Sequence, residues 1–156
     1  MVSKRMFLIS IIAVVTLLSK AQCTLPYKSL AAFNNDTTAF VKYNFSDRAA
    51  CYVGKTLKDV MQDLGIPIQS FITSTLGRNG FLYEGMYIYI YPFQTVMQFV
   101  RKHQYPNFIT ITWATPLSKN SFDSVVDKSD PYYKWTPQIA NLVMNLPIQS
   151  IDIVHY

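Results

Sequence analysis

Two segments of the chain pair a helical stripe of apolar residues with a strand pattern, and both carry the same tetrapeptide at the junction. The apolar positions fall at i, i+3, i+4 and i+7, which is one face of a helix. The first stripe is Leu57, Val60, Met61 and Leu64, and the second is Ile139, Leu142, Val143 and Leu146. Pro-Ile-Gln-Ser follows at Pro67–Ser70 and at Pro147–Ser150, where proline ends the helix and apolar alternation begins a half-buried strand. This predicts two structurally equivalent units, and chance recurrence at a common type of junction is the alternative.

Both helices are preceded by residues that favour a helix N-terminus. Thr56 comes directly before the first stripe, and Asp59 follows three residues later, as in a capping box. Thr136 stands in the same position before the second stripe, with Pro137 at the first helical position. We therefore expect each helix to begin immediately after its threonine.

Alternation predicts the rest of the sheet. The predicted strands are Pro67–Leu76, Phe81–Tyr91, Tyr105–Thr115 and Ile148–Tyr156, with a glycine turn at residues 77–80 and Pro116 ending the third strand. The spacing of Val96, Phe99, Val100 and His103 adds a helix of about two turns between the second and third strands. The fold class predicted is α+β, an antiparallel sheet of four or five strands with two main helices packed on one face.

Two stretches have weaker patterns. Residues 22–44 are mixed in character and are expected to form an arm over the core, and alternation within Ala39–Phe45 permits a strand there. Leu117–Tyr133 is polar, contains several acids and is the segment expected to be a mobile loop.

A row of tyrosines is the most unusual surface that the sequence predicts. Alternation places Tyr87, Tyr89 and Tyr91 on one face of the second strand and Met86, Ile88 and Ile90 on the other. The aliphatic face suits the helix-covered core because it carries no hydroxyl that needs a partner. The tyrosines should then be at least partly exposed, as a binding surface for a protein or a sugar. The alternative is that the N-terminal arm covers them as a second, minor core.

The first residues are typical of a secretory signal peptide. Lys4 and Arg5 precede an apolar run, Met6–Leu18, and small residues stand at Ser19 and Ala21, so cleavage is expected after Ala21. The domains predicted are a signal peptide at 1–21 and one α+β domain at 22–156. A retained membrane helix and lipidation of Cys23 are the alternatives, although the apolar run is short for a bilayer.

Charge and cysteine content bear on partners and compartment. Cleavage removes three basic residues and no acid, which lowers the formal charge from +5 to +2 and gives little reason to expect nucleic acid as a partner. The chain contains two cysteines, Cys23 and Cys51. Export favours a disulfide between them, and two unpaired thiols are the alternative. The location predicted is periplasmic or extracellular, with no integral membrane span after cleavage.

Reactive motifs are missing from the sequence. It contains no Gly-x-Ser-x-Gly elbow, His-Glu-x-x-His helix or Cys-x-x-Cys pair. The titratable candidates are His103 and His155, with acids at Asp123, Asp127 and Asp130. They lack the spacing of a metal site, so neither catalysis nor a metal or cofactor is expected. A module that binds a protein or envelope component is favoured. An enzyme of unrecognised type, with a histidine beside an acid, or a self-associating structural envelope protein are the alternatives.

The order of motifs supports a resemblance. In sequence, the motifs are Tyr52–Leu57, Asp63–Ile68, Phe108–Ile111, a helix beginning near Trp135, and Pro147–Ile151. This order resembles a family of small, uncharacterised exported bacterial proteins, which implies export but no activity. Gly54, Thr56, Val60 and the Leu64–Pro67 stretch are also similar to the helix and strand entry of the outer-membrane assembly lipoprotein and β-lactamase-inhibitor fold. The lipobox of the lipoprotein members is absent from this sequence.

Overall fold

Alternating apolar residues along four segments build one antiparallel sheet. The computed structural model describes residues 23–76, 81–104, 106–126 and 134–154. The strands are β1 (Ser70–Leu76), β2 (Leu82–Tyr89), β3 (Phe108–Ser118) and β4 (Ile148–Val154), which pair in the order β1-β2-β3-β4. Each neighbouring pair is antiparallel. The predicted α+β class with a four-stranded antiparallel sheet is confirmed.

Five α-helices surround this sheet within the described residues. They are α1 (Thr37–Lys42), α2 (Leu57–Leu64), α3 (Phe93–Arg101), α4 (Lys119–Asp123) and α5 (Pro137–Val143). Two 3₁₀-helical turns occupy Leu30–Phe33 and Ala49–Tyr52, and a π-helical turn occupies Tyr43–Asp47 within the described residues. The prediction of a helix between the second and third strands is confirmed by α3.

The main core lies on one face of the sheet, which we call the inner face. Cross-strand pairing aligns Phe71 with Ile88, Ile88 with Ile109, and Ile109 with Ile153, so one row of apolar side chains runs across all four strands. Helices α2 and α5 bury their apolar stripes in this same core, through Leu57, Val60, Leu64, Ile139 and Val143. The two main helices thus share one core, as the sequence predicts.

The two helix–strand units have matching starts and different ends. The backbone N–H and the hydroxyl of Thr56 both donate to Asp59 Oδ2 at 2.8 Å, and Thr136 Oγ1 accepts from the N–H of Ile139. Helix α2 ends at Gly65 in the left-handed region, with φ of 61°, whereas α5 ends without such a residue. The units lead into β1 and β4, the two edge strands, which run in opposite directions.

The prediction of a strand at Ala39–Phe45 is wrong, because this segment is helical. Asp36 Oδ1 accepts a 3.0 Å hydrogen bond from the N–H of Ala39 and begins α1. The chain then continues through a π-helical turn, and Phe40, Val41 and Phe45 enter the main core. An N-cap and burial of one helical side therefore override the alternation that favoured a strand.

A disulfide and buried polar side chains join residues 23–28 to the helical segment 37–52, which we call the helical arm. Cys23 and Cys51 form the predicted disulfide. Arg48 Nε donates to the carbonyl of Leu25 at 2.9 Å, and Asn44 Nδ2 donates to the carbonyl of Lys28 at 2.9 Å. Because the Cys23 sulfur is bonded to Cys51, it cannot also carry a lipid thioether.

The prediction that Pro116 ends the third strand is wrong. Strand β3 continues to Ser118. Its pairing with β2 breaks between Thr112 and Leu117, so residues 113–116 lie opposite the single residue Glu84. Pro116 is tolerated because this bulged stretch needs no ladder hydrogen bond from it. Part of the predicted loop is thus strand and helix α4. The following lie outside the described residues: 1–22, 77–80 where a turn is predicted, Tyr105, 127–133, His155 and Tyr156.

Candidate functional site

Tyr87 and Tyr89 of β2 lie on the face of the sheet opposite the main core, which we call the outer face. Ile72 pairs with Tyr87, and Phe108 pairs with Val154, so all four side chains share this face. Helix α3 begins after Pro92 and packs against the outer face. Its Val96 is buried with Tyr89 and Phe108 in a second, smaller apolar cluster.

An apolar cavity of about 370 Å³ opens between α3 and the outer face, and we call it the outer cleft. Tyr89, Val96 and Phe108 form its most buried surface, whereas Ile72, Tyr87 and Val100 are only half-buried. The Phe108 ring lies 5.3 Å from the Tyr87 ring and 5.2 Å from the Tyr89 ring, measured between centroids. The cleft therefore presents aromatic and aliphatic surface with few polar groups.

Exposure differs along the predicted tyrosine row. Tyr87 is half-buried and Tyr91 is 37% exposed, but Tyr89 is only 7% exposed, so the prediction of partial exposure is wrong for Tyr89. The cover is α3, and the N-terminal arm packs into the main core instead. A helix that connects neighbouring strands crosses the sheet beside them, which alternation along β2 does not reveal.

Tyr91 is separated from the other two tyrosines. Strand β2 ends at Tyr89, so the alternation that puts Tyr87 and Tyr89 side by side no longer applies two residues later. The Tyr91 ring packs 5.6 Å from the Phe99 ring, and both line a different cavity of about 220 Å³, which we call the Tyr91 pocket. This pocket reaches Ile88 and Ile109 of the inner face. The predicted binding residues thus belong to two sites.

The predicted titratable candidates are dispersed in the described part of the chain. His103 is exposed and follows α3 in the left-handed region, with φ of 55°. Asp123 lies in α4 and accepts a 3.4 Å hydrogen bond from the Tyr83 hydroxyl. His155, Asp127 and Asp130 lie outside the described residues. Within residues 23–76, 81–104, 106–126 and 134–154, no three acidic, histidine or cysteine side chains are grouped as metal ligands.

A strongly perturbed group, Tyr52, lies in the helical arm, away from both cavities. Tyr52 is fully buried, and its hydroxyl donates to Asp63 Oδ2 at 2.7 Å. Burial, followed by the Asp63 carboxylate, raises the pKa of Tyr52. Arg48 Nη1 contacts the same hydroxyl at 3.3 Å and the Asn44 amide oxygen at 3.1 Å. This network stabilises the arm and offers no access for a substrate.

Sequence reasoning missed Val96, Val100, Pro106 and Phe108 as members of a site. The helical spacing of Val96 and Val100 identified α3, and alternation set Phe108 apart from Ile109, so each residue had a local signal. What the sequence did not show is that α3 packs on the tyrosine face. That contact joins the separate signals into one cleft.

Comparison with known proteins finds no matching family model, no similar curated protein and no similar solved structure. The family resemblance drawn from the motif order therefore stays a hypothesis. Within the part of the chain that the structure describes, none of the helices is both long enough and apolar enough to cross a bilayer. The cavities and their lining residues are thus the direct basis for a functional proposal.

Proposed function

We propose that this protein is an exported, non-catalytic domain that binds a protein partner in the cell envelope through the outer cleft. The observation that carries the proposal is the cavity of about 370 Å³ between α3 and the outer face, with Tyr87 at its edge. Export is supported by the signal-like N-terminal sequence and by the Cys23–Cys51 disulfide.

The chemistry of the cleft favours apolar side chains of a partner. Its volume lies within the range of about 300–1,000 Å³ that is common for binding pockets. Tyr87 gives a large, stiff contact area with a polar tip, which is why tyrosine is frequent at the energetic centre of interfaces. The buried aromatic base formed by Tyr89 and Phe108 holds this surface in place before binding, so little ordering is needed when a partner docks.

A pull-down with matched variants tests the proposal. The purified protein is immobilised and exposed to an envelope extract of its host, alongside Tyr87→Ala and Phe81→Ala. Phe81 is 71% exposed and lies outside the cleft, so it controls for the loss of an exposed aromatic ring. We expect Tyr87→Ala to lower the affinity for the captured protein at least tenfold, which corresponds to about 1.4 kcal/mol, and Phe81→Ala to leave it unchanged.

Two outcomes would contradict the proposal. Equal capture by the wild type and both variants would mean that binding does not use the cleft. A dimeric wild type that becomes monomeric with Tyr87→Ala would show that the cleft joins copies of this chain, as expected of a structural envelope protein instead.

A further inference from the structure

The Tyr91 pocket has a chemical character of its own. Its volume is about 220 Å³, and it lies between the start of α1, the end of β2 and the segment after α3. The described residues that line it are all uncharged, and Pro106 alone is shared with the outer cleft. The ligand of the Tyr91 pocket is therefore independent of the partner proposed for the outer cleft.

Apolar and polar groups are segregated within the pocket. Val41, Ile88 and Ile109 form a buried apolar base, and each is less than 5% exposed. Tyr91 and Phe99 add an aromatic wall. The opening carries hydroxyl and amide side chains, which are those of Thr37, Thr38, Gln104 and Asn107. A ligand that fits must have an apolar face and neutral polar edges.

This segregation excludes ions and purely apolar molecules as ligands. An ion would be desolvated beside buried aliphatic groups without an opposite charge among the lining residues, which costs several kcal/mol. A purely apolar ligand would take water away from the hydroxyls and amides at the opening without replacing its hydrogen bonds. A sugar ring satisfies both parts, because its C–H face packs on an aromatic ring while its hydroxyls bond to amides and hydroxyls.

We propose that the Tyr91 pocket binds one neutral sugar residue. At about 30 Å³ for each water molecule, the pocket has room for about seven waters, which suits a single hydroxylated six-membered ring. A charged sugar does not fit its uncharged lining. The neutral sugar packs its C–H face on the Tyr91 ring.

The pocket is organised before any ligand arrives. The hydroxyl of Ser70, which is 1% exposed, donates to the carbonyl of Tyr91 at 2.8 Å and holds the backbone of this residue after β2 has ended. The N–H of Gln104 donates to the carbonyl of Phe99 at 2.9 Å, which fixes Gln104 next to α3. The Asp36 cap fixes Thr37 and Thr38 in the first turn of α1. Such rigidity lowers the entropic cost of binding.

The test is an amide NMR titration of the purified protein with individual sugars. Glucose, galactose and N-acetylglucosamine are the neutral probes, glucuronate is the charged control, and cyclohexanol is the ring control without the additional hydroxyls. We expect at least one neutral sugar to shift amide signals around Tyr91 and Gln104 with a Kd of about 1–10 mM, as suits a single small ring. Glucuronate and cyclohexanol should bind at least tenfold more weakly.

Variants separate this pocket from the cleft. Tyr91→Ala should weaken sugar binding at least tenfold, Tyr91→Phe should keep most of it, and Gln104→Ala should weaken it several-fold. Gln104 is exposed, so this last variant keeps the fold and provides a test even where Tyr91→Ala disturbs it. Tyr87→Ala should have no effect on the titration, so failure of one site is distinguishable from failure of the other.

The proposal is overturned by any of three results. The first is the absence of shifts around the pocket with every neutral sugar at about 50 mM, a concentration well above the expected Kd. The second is binding of glucuronate or cyclohexanol as tight as that of the neutral sugars. The third is a Gln104→Ala or Tyr91→Ala protein that is folded and binds like the wild type.

Discussion

The hydroxyl of Tyr52 donates to Asp63 Oδ2 at 2.7 Å, which joins the helical arm to the last turns of α2. Tyr52 has no exposed surface, and its ring stacks on Phe45 with centroids 5.4 Å apart. Burial and then the neighbouring carboxylate raise its pKa above the ordinary value of 10.0. The folded protein therefore retains the Tyr52 proton at pH values where the unfolded chain loses it.

Replacing this tyrosine should weaken the protein and change its alkaline unfolding. Tyr52→Phe should lower the free energy of unfolding by about 1–3 kcal/mol, because Asp63 and Arg48 lose a buried partner. Since the folded pKa is the higher one, the contribution of the phenol is fully present below pH 10 and is lost as the pH rises above it. Urea unfolding from pH 8 to pH 11 should show a decline in the wild type that is smaller in the variant.

Tyr43→Phe is the control for this prediction. It removes the hydroxyl that donates to the carbonyl of Pro26 at 3.1 Å, in an exposed position. A Tyr52→Phe protein with the stability and the alkaline slope of Tyr43→Phe would contradict the role assigned to the buried bond.

The Thr56–Asp59 capping box should be acid-sensitive. The backbone N–H of Thr56, followed by its hydroxyl, lowers the pKa of Asp59 below its ordinary value of 3.8. A lowered pKa means that the stabilisation is present above that ordinary value and is lost as the pH falls through the lower, folded value. Asp59→Asn should lower the free energy of unfolding by about 0.5–1 kcal/mol at pH 7. It should also reduce the loss of stability on acidification.

The comparison variant for the capping box is Asp47→Asn. Asp47 forms a 2.8 Å ion pair with Lys42 on the surface, where such pairs contribute little. Thermal unfolding measures the stability of both variants from pH 7 to pH 3. An equal dependence of stability on pH in the two variants would exclude a specific role for the cap.

The Cys23–Cys51 disulfide should contribute strongly to stability. It closes a sequence separation of 28 residues, for which chain entropy gives about 3–4 kcal/mol. Cys23→Ser with Cys51→Ser should lower the free energy of unfolding by about this amount. Intact mass should show a gain of two hydrogens on reduction and a chain that begins at Gln22. No change in mass on reduction would contradict the disulfide, and a lipid mass on Cys23 would contradict the chain beginning at Gln22.

Gly85 should not tolerate a side chain. A Cβ at this position of β2 would collide with the backbone carbonyl oxygen of Ile111 in β3, and neither strand can move away without breaking the sheet. Gly85→Ala should therefore cost about 3 kcal/mol. Gly54→Ala is the matched control, because a Cβ at this position meets open space. Only the left-handed φ of 78° disfavours alanine there, which should lower the free energy of unfolding by about 1–2 kcal/mol. A similar loss of unfolding free energy in both variants would contradict this prediction, because it would show that the strands adjust to avoid the collision with Ile111.

Tyr87 and Tyr89 should respond differently to the same substitution. Tyr89→Ser removes a ring that is packed with Val96 and Phe108, so it should cost about 3 kcal/mol, as large deletions in a core do. Tyr87→Ser should cost about 1 kcal/mol or less, because its ring is half-buried at the edge of the cleft. Thermal unfolding of both single variants checks this, and equal losses would place both rings in one core.

The sequence by itself determined the local elements. The threonine caps of α2 and α5, the spacing of their stripes, and the alternation of Met86 and Ile88 in β2 each depend on residues a few positions apart, so they can be identified without knowing the fold. The signal-like N-terminal sequence also predicted the Cys23–Cys51 disulfide, because exported proteins commonly contain disulfides. The inner face of the sheet follows from the same short-range periodicity.

Only the tertiary structure decided what becomes of the outer face. Whether α3 crosses over Tyr89 or away from it depends on long-range packing of Val96 against Phe108, and no local pattern encodes that choice. The same holds for Ala39–Phe45, where burial in the main core selects a helix over a strand. Tyr91 separates from its row because β2 ends at Tyr89, where pairing with its neighbours stops. Local periodicity therefore specifies elements, whereas both cavities arise from the way in which separate elements pack against one another.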